Sequence, residues 1–210
     1  MVVIAGGLAT RMQPLTTHCP KILLNVAGRP FAEHQIELFQ QQGIRQVIYC
    51  VSHFGEQIVE ALGDGSRWGM TFQYVFDRPF AGTGGALFNA LPLLKSAFFV
   101  TYGDAYLECS LRSIKQAFDA SHKFGLMTRY RGVDYGLGIL TPGALLLAQA
   151  APPTSLNTIY QCLDEYGTLA YHDLTTRFRE IGSKDGLHDL HKYLLGRVPF
   201  AAKANRPAHP

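Results

Sequence analysis

Two basic side chains follow the first apolar run of this sequence in a setting suited to polyanions. Val2 to Ala5 is apolar, and the chain continues as Ala5-Gly6-Gly7-Leu8-Ala9-Thr10-Arg11, then Pro14-Leu15-Thr16 and Pro20-Lys21. Adjacent glycines let backbone N–H groups come close to an anion. Arg11 supplies a permanent charge and Lys21 a compact one. This is equipment for holding a nucleoside triphosphate and stabilising charge during phosphoryl transfer. Neither the GxxxxGK[ST] loop nor the GxGxxG dinucleotide fingerprint is present. Gly6-Gly7 alone would be an ordinary turn, and the reading rests on the whole constellation.

Three further segments carry potential chemistry. Gly82-Thr83-Gly84-Gly85 follows an apolar run and opens a helical pattern. It is either a tight connection or a set of free N–H groups facing a ligand. Tyr102-Gly103-Asp104 ends the run Ala97 to Tyr102, which places a carboxylate directly after a buried strand. Asp104 there suits Mg²⁺, which needs one or two protein carboxylates plus phosphate oxygens and water. Glu180, in Arg179-Glu180-Ile181-Gly182-Ser183, is a candidate second metal carboxylate. His188 and His191 share a spacing that metals use, but no third ligand accompanies them, and they read as surface histidines.

The elements that must position these groups alternate. Strands are expected at Val2 to Ala5, Gln46 to Val51, Phe72 to Phe76, Ala97 to Tyr102, Leu126 to Tyr130, Tyr135 to Leu140 and Thr168 to Tyr171. Helices are expected at Phe31 to Gln42 (closed by Gly43), Glu56 to Leu62, Thr83 to Leu91 and after a Ser110 cap. Ala144 to Ala150, Leu156 to Asp164 and Lys184 to Leu195 complete the helices. This order predicts an α/β fold with a Rossmann-like, doubly wound, mixed and mostly parallel sheet, whose ligand sits beyond the carboxyl ends of the strands. One domain is expected over 1–195, and 196–210, with three prolines, reads as a loose tail.

Composition narrows the function classes. The 210 residues are 47% hydrophobic and 17% charged, which excludes intrinsic disorder. A net charge of +3 is too mild to mark a nucleic-acid or membrane-surface protein. No apolar run approaches a membrane span, and Met1-Val2-Val3-Ile4 has no basic n-region. Cys19, Cys50, Cys109 and Cys162 are widely spaced with no CxxC pair, so reduced thiols and a cytoplasmic location are expected. The sequence is compatible with a homo-oligomer and does not require one.

Together the motifs resemble the sugar-phosphate nucleotidyltransferases, the NDP-sugar pyrophosphorylases. The resemblance runs through Gly6 to Lys21, Gly28-Arg29-Pro30-Phe31, Gly82-Thr83-Gly84-Gly85, Gly103-Asp104, Asp134-Tyr135-Gly136-Leu137-Gly138 and Glu180-Ile181-Gly182-Ser183, nearly to Leu195. It is nearest in look to bacterial heptose or mannose 1-phosphate guanylyltransferases, with uridylyl and thymidylyl enzymes next. The fold so implied is that of the nucleotide-diphospho-sugar transferases. The reaction so implied joins a sugar 1-phosphate and GTP, UTP or dTTP into an NDP-sugar and pyrophosphate, with Mg²⁺ as cofactor. The resemblance assigns Arg11 to the triphosphate and the transition state, and Lys21 to the α-phosphate and the sugar phosphate. Ala5, Gly6, Gly7 and Thr10 would lie along the nucleotide, and Asp77, Gly82 and Thr83 near the base and ribose. Asp104 and Glu180 would hold the metal, and Gly136 would face the sugar.

The resemblance breaks between Arg131 and Asp134. The family carries a further hairpin-like segment on the sugar side, for which this chain has no room. A tight turn or one continued strand is expected at Gly132-Val133. The break motivates an alternative reading, a catalytically impaired nucleotide-binding paralogue serving as a regulatory or partner subunit. A glycosyltransferase ranks lower, because there is no Asp-x-Asp.

Overall fold

The computed structural model describes residues 1–77, 79, 81–148 and 155–197. In chain order the first half comprises β1 (Val2–Ile4), β2 (Asn25–Val26), β3 (Arg29–Pro30), α1 (Phe31–Gln41), β4 (Gln46–Val51), α2 (Gly55–Leu62), β5 (Thr71–Phe76), α3 (Gly82–Ala90) and β6 (Phe98–Tyr102). The second half comprises β7 (Ala105–Tyr106), α4 (Leu111–Ser121), β8 (Gly125–Tyr130), β9 (Val133–Leu140), α5 (Pro142–Leu147), α6 (Leu156–Glu165), β10 (Leu169–Asp173), β11 (Arg179–Glu180) and α7 (Lys184–Arg197).

Among the described residues the main sheet has seven strands, in the order β10-β8-β9-β6-β1-β4-β5. Its β1/β4, β1/β6, β4/β5 and β8/β10 pairs are parallel, while β9 runs antiparallel to β6 and β8. The expected mixed, mostly parallel sheet is therefore present. β1 is short and wholly apolar because it is covered on both faces. Val3 points into the core beneath α1 and α2, whereas Val2 and Ile4 point into the core beneath α3, α5 and α6. The chain leaves β1 for β4 and β5 on one side and returns to β6 on the other. That reversal opens a crevice beyond the carboxyl ends of β1 and β6.

Local chemistry ends the elements where the sequence placed them. Ser110 caps α4 by accepting the Ser113 N–H at 3.1 Å. Gly43, with φ +81°, stops the helix of α1. Pro92 sits in a short 3-10 turn, Leu91–Leu93, just after α3. The joint near Gly132 is a tight turn. Tyr130 pairs with Val133, and Arg131 and Gly132 between them both have positive φ, 53° and 80°. That mirror-image turn matches the right-handed twist of its strands.

Several boundaries differ from expectation, two helices among them. Gly196 and Arg197 belong to α7 rather than to a tail, where the Arg197 guanidinium pairs with the Glu108 carboxylate; residues 198–210 lie outside the described residues. The helix expected over Ala144 to Ala150 starts earlier, at Pro142 with a Thr141 cap, and ends at Leu147; positions 149–150 lie outside the described residues. The four cysteines are free thiols, and burial pushes Cys50 and Cys109 up to about 12. No described helix is long and apolar enough to cross a membrane.

Candidate active site

The glycine turn after β1 is built by close packing. A Cβ on Gly6 would stand 3.0 Å from the Ser52 Cβ, so the turn passes close against the end of β4 with little room for a side chain. Gly7 faces open space. Beyond it the chain forms a 3-10 turn, Thr10–Met12, anchored by the fully buried Met12, with Thr10 and Arg11 exposed. Thr16, the last residue of Pro14-Leu15-Thr16, is buried and donates its hydroxyl to the Ala9 carbonyl at 2.9 Å. That bond ties the far end of the loop to its start.

The turn after β6 is held as firmly. Gly103 donates its N–H to the Ile4 carbonyl at 2.8 Å, and a Cβ there would meet the Ala5 Cβ at 3.1 Å. Gln35, buried on α1, donates to the carbonyls of Tyr102 at 3.1 Å and Ala105 at 2.8 Å. These bonds bracket Asp104. The Asp104 carboxylate pairs with Lys21, and both side chains are about one-fifth exposed, at 23% and 20%. The Asp104 carbonyl accepts the Ile181 N–H at 3.0 Å. Two-residue strands continue the junction, with Ala105 opposite Glu180 and Tyr106 opposite Arg179. This small β7/β11 sheet brings Glu180 to Asp104.

Two adjoining cavities result. One, of about 140 Å³, is lined by Ala5, Gly7, Lys21, Thr83, Tyr102 and Asp104, among others. The second, of about 300 Å³, is bounded by Arg11, Tyr102, Asp104, Asp134, Gly136 and Glu180, together with Phe178. Asp104 borders both. The structure thus assembles most of the residues singled out by sequence, from segments scattered along the whole chain.

Others occupy different places. Asp77 is buried at 1% exposure. Its carboxylate accepts the Ala81 N–H at 3.0 Å and the Asn89 amide at 2.8 Å, so it shapes the entry to α3 from inside the protein. Gly6 lies beneath the loop. Gly82 begins α3 with φ +80° beside Thr83, whose hydroxyl oxygen also accepts the Leu156 N–H at 2.8 Å, docking α6 on α3. His191 takes the Ala27 N–H on Nδ1 at 3.1 Å, away from both cavities, while His188 is exposed.

Residues 1–137 match the nucleotidyl transferase family model. The chain belongs to the nucleotidyl transferase family. It is 32% identical over 114 residues to the D-glycero-alpha-D-manno-heptose 1-phosphate guanylyltransferase of Campylobacter jejuni, covering 54% of this chain and 51% of the relative. It is 39% identical over 106 residues to the N-acetylmuramate alpha-1-phosphate uridylyltransferase of Neisseria meningitidis, covering 49% and 46%. The chain spans about half the length of these curated relatives. In fold it resembles the UDP-glucose pyrophosphorylase of Acinetobacter baumanii, with a TM-score of 0.78 at 15% identity over 97% of this chain and 95% of that one. It also resembles HddC of Yersinia pseudotuberculosis complexed with GMP-PN, with a TM-score of 0.76 at 18% identity over 92% and 98%.

Asp104 and Glu180 are oxygen donors of the kind a hard divalent cation takes. A Cβ on Gly182 would stand 2.8 Å from both Asp104 Oδ2 and Glu180 Oε2, so the two oxygens approach one point. Among the described residues no cluster of three or more His, Cys, Asp or Glu converges as a cation site. Mg²⁺ needs no more than a pair when phosphate and water complete its shell. Glu180 meanwhile holds the turn that leads into α7, accepting the N–H of Gly182, the N–H of Ser183 at 3.0 Å and the Ser183 hydroxyl at 2.6 Å.

Several cavity residues escaped the sequence reading. Asp134 is half-buried, one of its oxygens accepts the Gly136 N–H at 2.8 Å, and burial raises its carboxyl above the usual range. Its place just before Tyr135-Gly136 was the available signal. Phe178 packs edge-on against Tyr135 at 5.5 Å, and nothing in the local sequence marks it. Gln35 reads as an ordinary polar helix residue until its partners are seen.

Proposed function

We propose that this chain transfers a nucleotidyl group from an NTP to a sugar 1-phosphate. A phosphate oxygen of the sugar attacks the α-phosphorus, the bond from that phosphorus to the β-bridging oxygen breaks, and pyrophosphate leaves. The observation that carries the reading is the junction at Asp104, where a phosphate-sized cleft bearing Lys21 meets a larger cavity bearing Arg11 and Gly136. The nucleotide lies along Ala5 and Gly7 with its phosphates towards Lys21, and the sugar occupies the larger cavity. Arg11 and Lys21 stabilise charge as it moves to the leaving pyrophosphate. Asp104 and Glu180 would hold Mg²⁺, which when bound neutralises phosphate charge. Lys21 exchanges its Asp104 partner for phosphate oxygens as substrates enter. The family membership supports the reading, as do relatives named for guanylyl and uridylyl transfer to sugar 1-phosphates. The free, partly buried thiols accord with a cytoplasmic location.

Pyrophosphate release tests the reading, measured with GTP, UTP and dTTP against a panel of sugar 1-phosphates with and without Mg²⁺. Turnover of at least one pair is expected, and nucleotide binding with no turnover of any sugar would count against it.

Asp134 supplies a narrower test. Its position in the larger cavity makes it an acceptor for a sugar hydroxyl. Asp134→Asn is expected to raise KM for the sugar 1-phosphate by about 10-fold, the worth of one charged hydrogen bond. The NTP KM should stay within about twofold. Equal rises in both constants would instead mark Asp134 as structural.

A further inference from the structure

The wall made by Phe178 and Glu180 has a second side. There it bounds a groove of about 610 Å³ that Arg131, Arg177, Arg179 and Asp189 also line. Three guanidinium groups line this groove with two carboxylates, Glu180 and Asp189, so its lining carries an excess of positive charge. Asp189 Oδ2 stands 3.6 Å from both Arg177 Nη2 and Arg179 Nε, beyond hydrogen-bond distance. Arg179 Nε is buried with no hydrogen-bond partner, although its Nη1 reaches Glu108 at 3.5 Å. Glu180 is turned towards the amides of Gly182 and Ser183. Arg131, at the tip of the β8/β9 hairpin, lies beside the Tyr130 ring at 5.3 Å.

The Arg179 guanidinium also stacks on the Tyr193 ring at 3.4 Å, whereas Arg131 and Arg177 are exposed and can meet an anion entering the groove. The planar fork of arginine matches carboxylate and phosphate oxygens. We propose that this groove binds a carboxylate carried by the sugar 1-phosphate whose ring fills the adjoining cavity. The inference rests on the nucleotidyl-transfer reading above. Phe178 and Glu180 border both spaces, so the groove lies directly beside the sugar cavity. A free anion would have no reason to border the sugar cavity.

Two matched pairs of substrates test the proposal. Glucuronate 1-phosphate differs from glucose 1-phosphate by a carboxylate at C6. N-acetylmuramate 1-phosphate differs from N-acetylglucosamine 1-phosphate by a lactyl carboxylate. The acidic member of at least one pair is expected to show a kcat/KM about 10- to 100-fold higher, the range of a charge-assisted contact. Arg177→Gln, and Arg131→Asn, which suits the left-handed backbone there, should each reduce that ratio about fivefold or more. A ratio near one in both pairs would overturn the proposal, as would a ratio that survives both substitutions. Stimulation of neutral-sugar turnover by added free glucuronate, with no preference between pair members, would assign the groove to an effector and equally overturn it. If no sugar is turned over, the nucleotidyl-transfer reading fails by itself. The same ratios are then read as dissociation constants by calorimetry, where equal affinities overturn the proposal and a preference lost in the variants upholds it.

Discussion

Lys21→Ala is expected to lower kcat by about 100- to 1,000-fold, the cost of removing one pre-positioned donor to transition-state charge. Lys21 is held in a short 3-10 turn, Lys21–Leu23, whose Ile22 is buried, and its ammonium group meets the Asp104 carboxylate where the two cavities join. Among the described residues no other cation borders the smaller cavity. The substitution should therefore affect kcat much more than the KM of the NTP, which the backbone of the glycine turn also holds. Stability should change little, since both partners retain some exposure to water and a partly exposed pair contributes modestly. Lys21→Met keeps the methylene stem and separates charge from packing; it should match the alanine variant. Steady-state pyrophosphate release beside thermal unfolding provides the check. Rates within fivefold of wild type in both variants would remove Lys21 from the chemistry.

The largest effect on stability is expected at Gly138. This residue lies in β9 between Val100 of β6 and Met127 of β8. A Cβ there would overlap the Tyr160 hydroxyl of α6 and stand 2.7 Å from the Leu126 carbonyl oxygen. Tyr160 is 2% exposed and the carbonyl belongs to the sheet, so neither has room to retreat. Gly138→Ala should cost about 2–3 kcal/mol as overpacking, a fall in Tm of roughly 4–12 °C at this chain length. Gly7→Ala, whose Cβ meets nothing within 4 Å, is the matched control for stability and should unfold near the wild-type temperature. Because β9 also carries Asp134 and Gly136, a folded Gly138→Ala protein should show a raised KM for the sugar phosphate. A Tm within 1 °C of wild type would contradict the packing described.

The contrast between Asp104 and Asp77 shows what was legible in the sequence. Both follow an apolar strand at its carboxyl end, and by that criterion they look alike. The partners that separate them are not local signals: Asn89 and Ala81 bond the carboxylate of Asp77 inside the protein, whereas Lys21 and the Ile181 N–H hold Asp104 at the cavity. The apolar run of β1, the glycine turn and Lys21 were legible because chemistry and element are contiguous there. Glu180 could be named, but not the reason it reaches Asp104, which is a two-residue strand paired with another distant in sequence. Such strands leave no periodic pattern to read. Gln35 and Phe178 act only through residues distant in sequence, and no motif contains them.

The central claim is that an α-phosphorus changes partners at the junction between the two cavities. The direct measurement follows α-³²P-labelled GTP, UTP and dTTP, each mixed with a sugar 1-phosphate, Mg²⁺ and the protein. Label recovered in a sugar nucleotide, with unlabelled pyrophosphate released in equal amount, is the predicted result. Label remaining in NTP with every sugar tried, or appearing only in free nucleoside mono- or diphosphate, would contradict it.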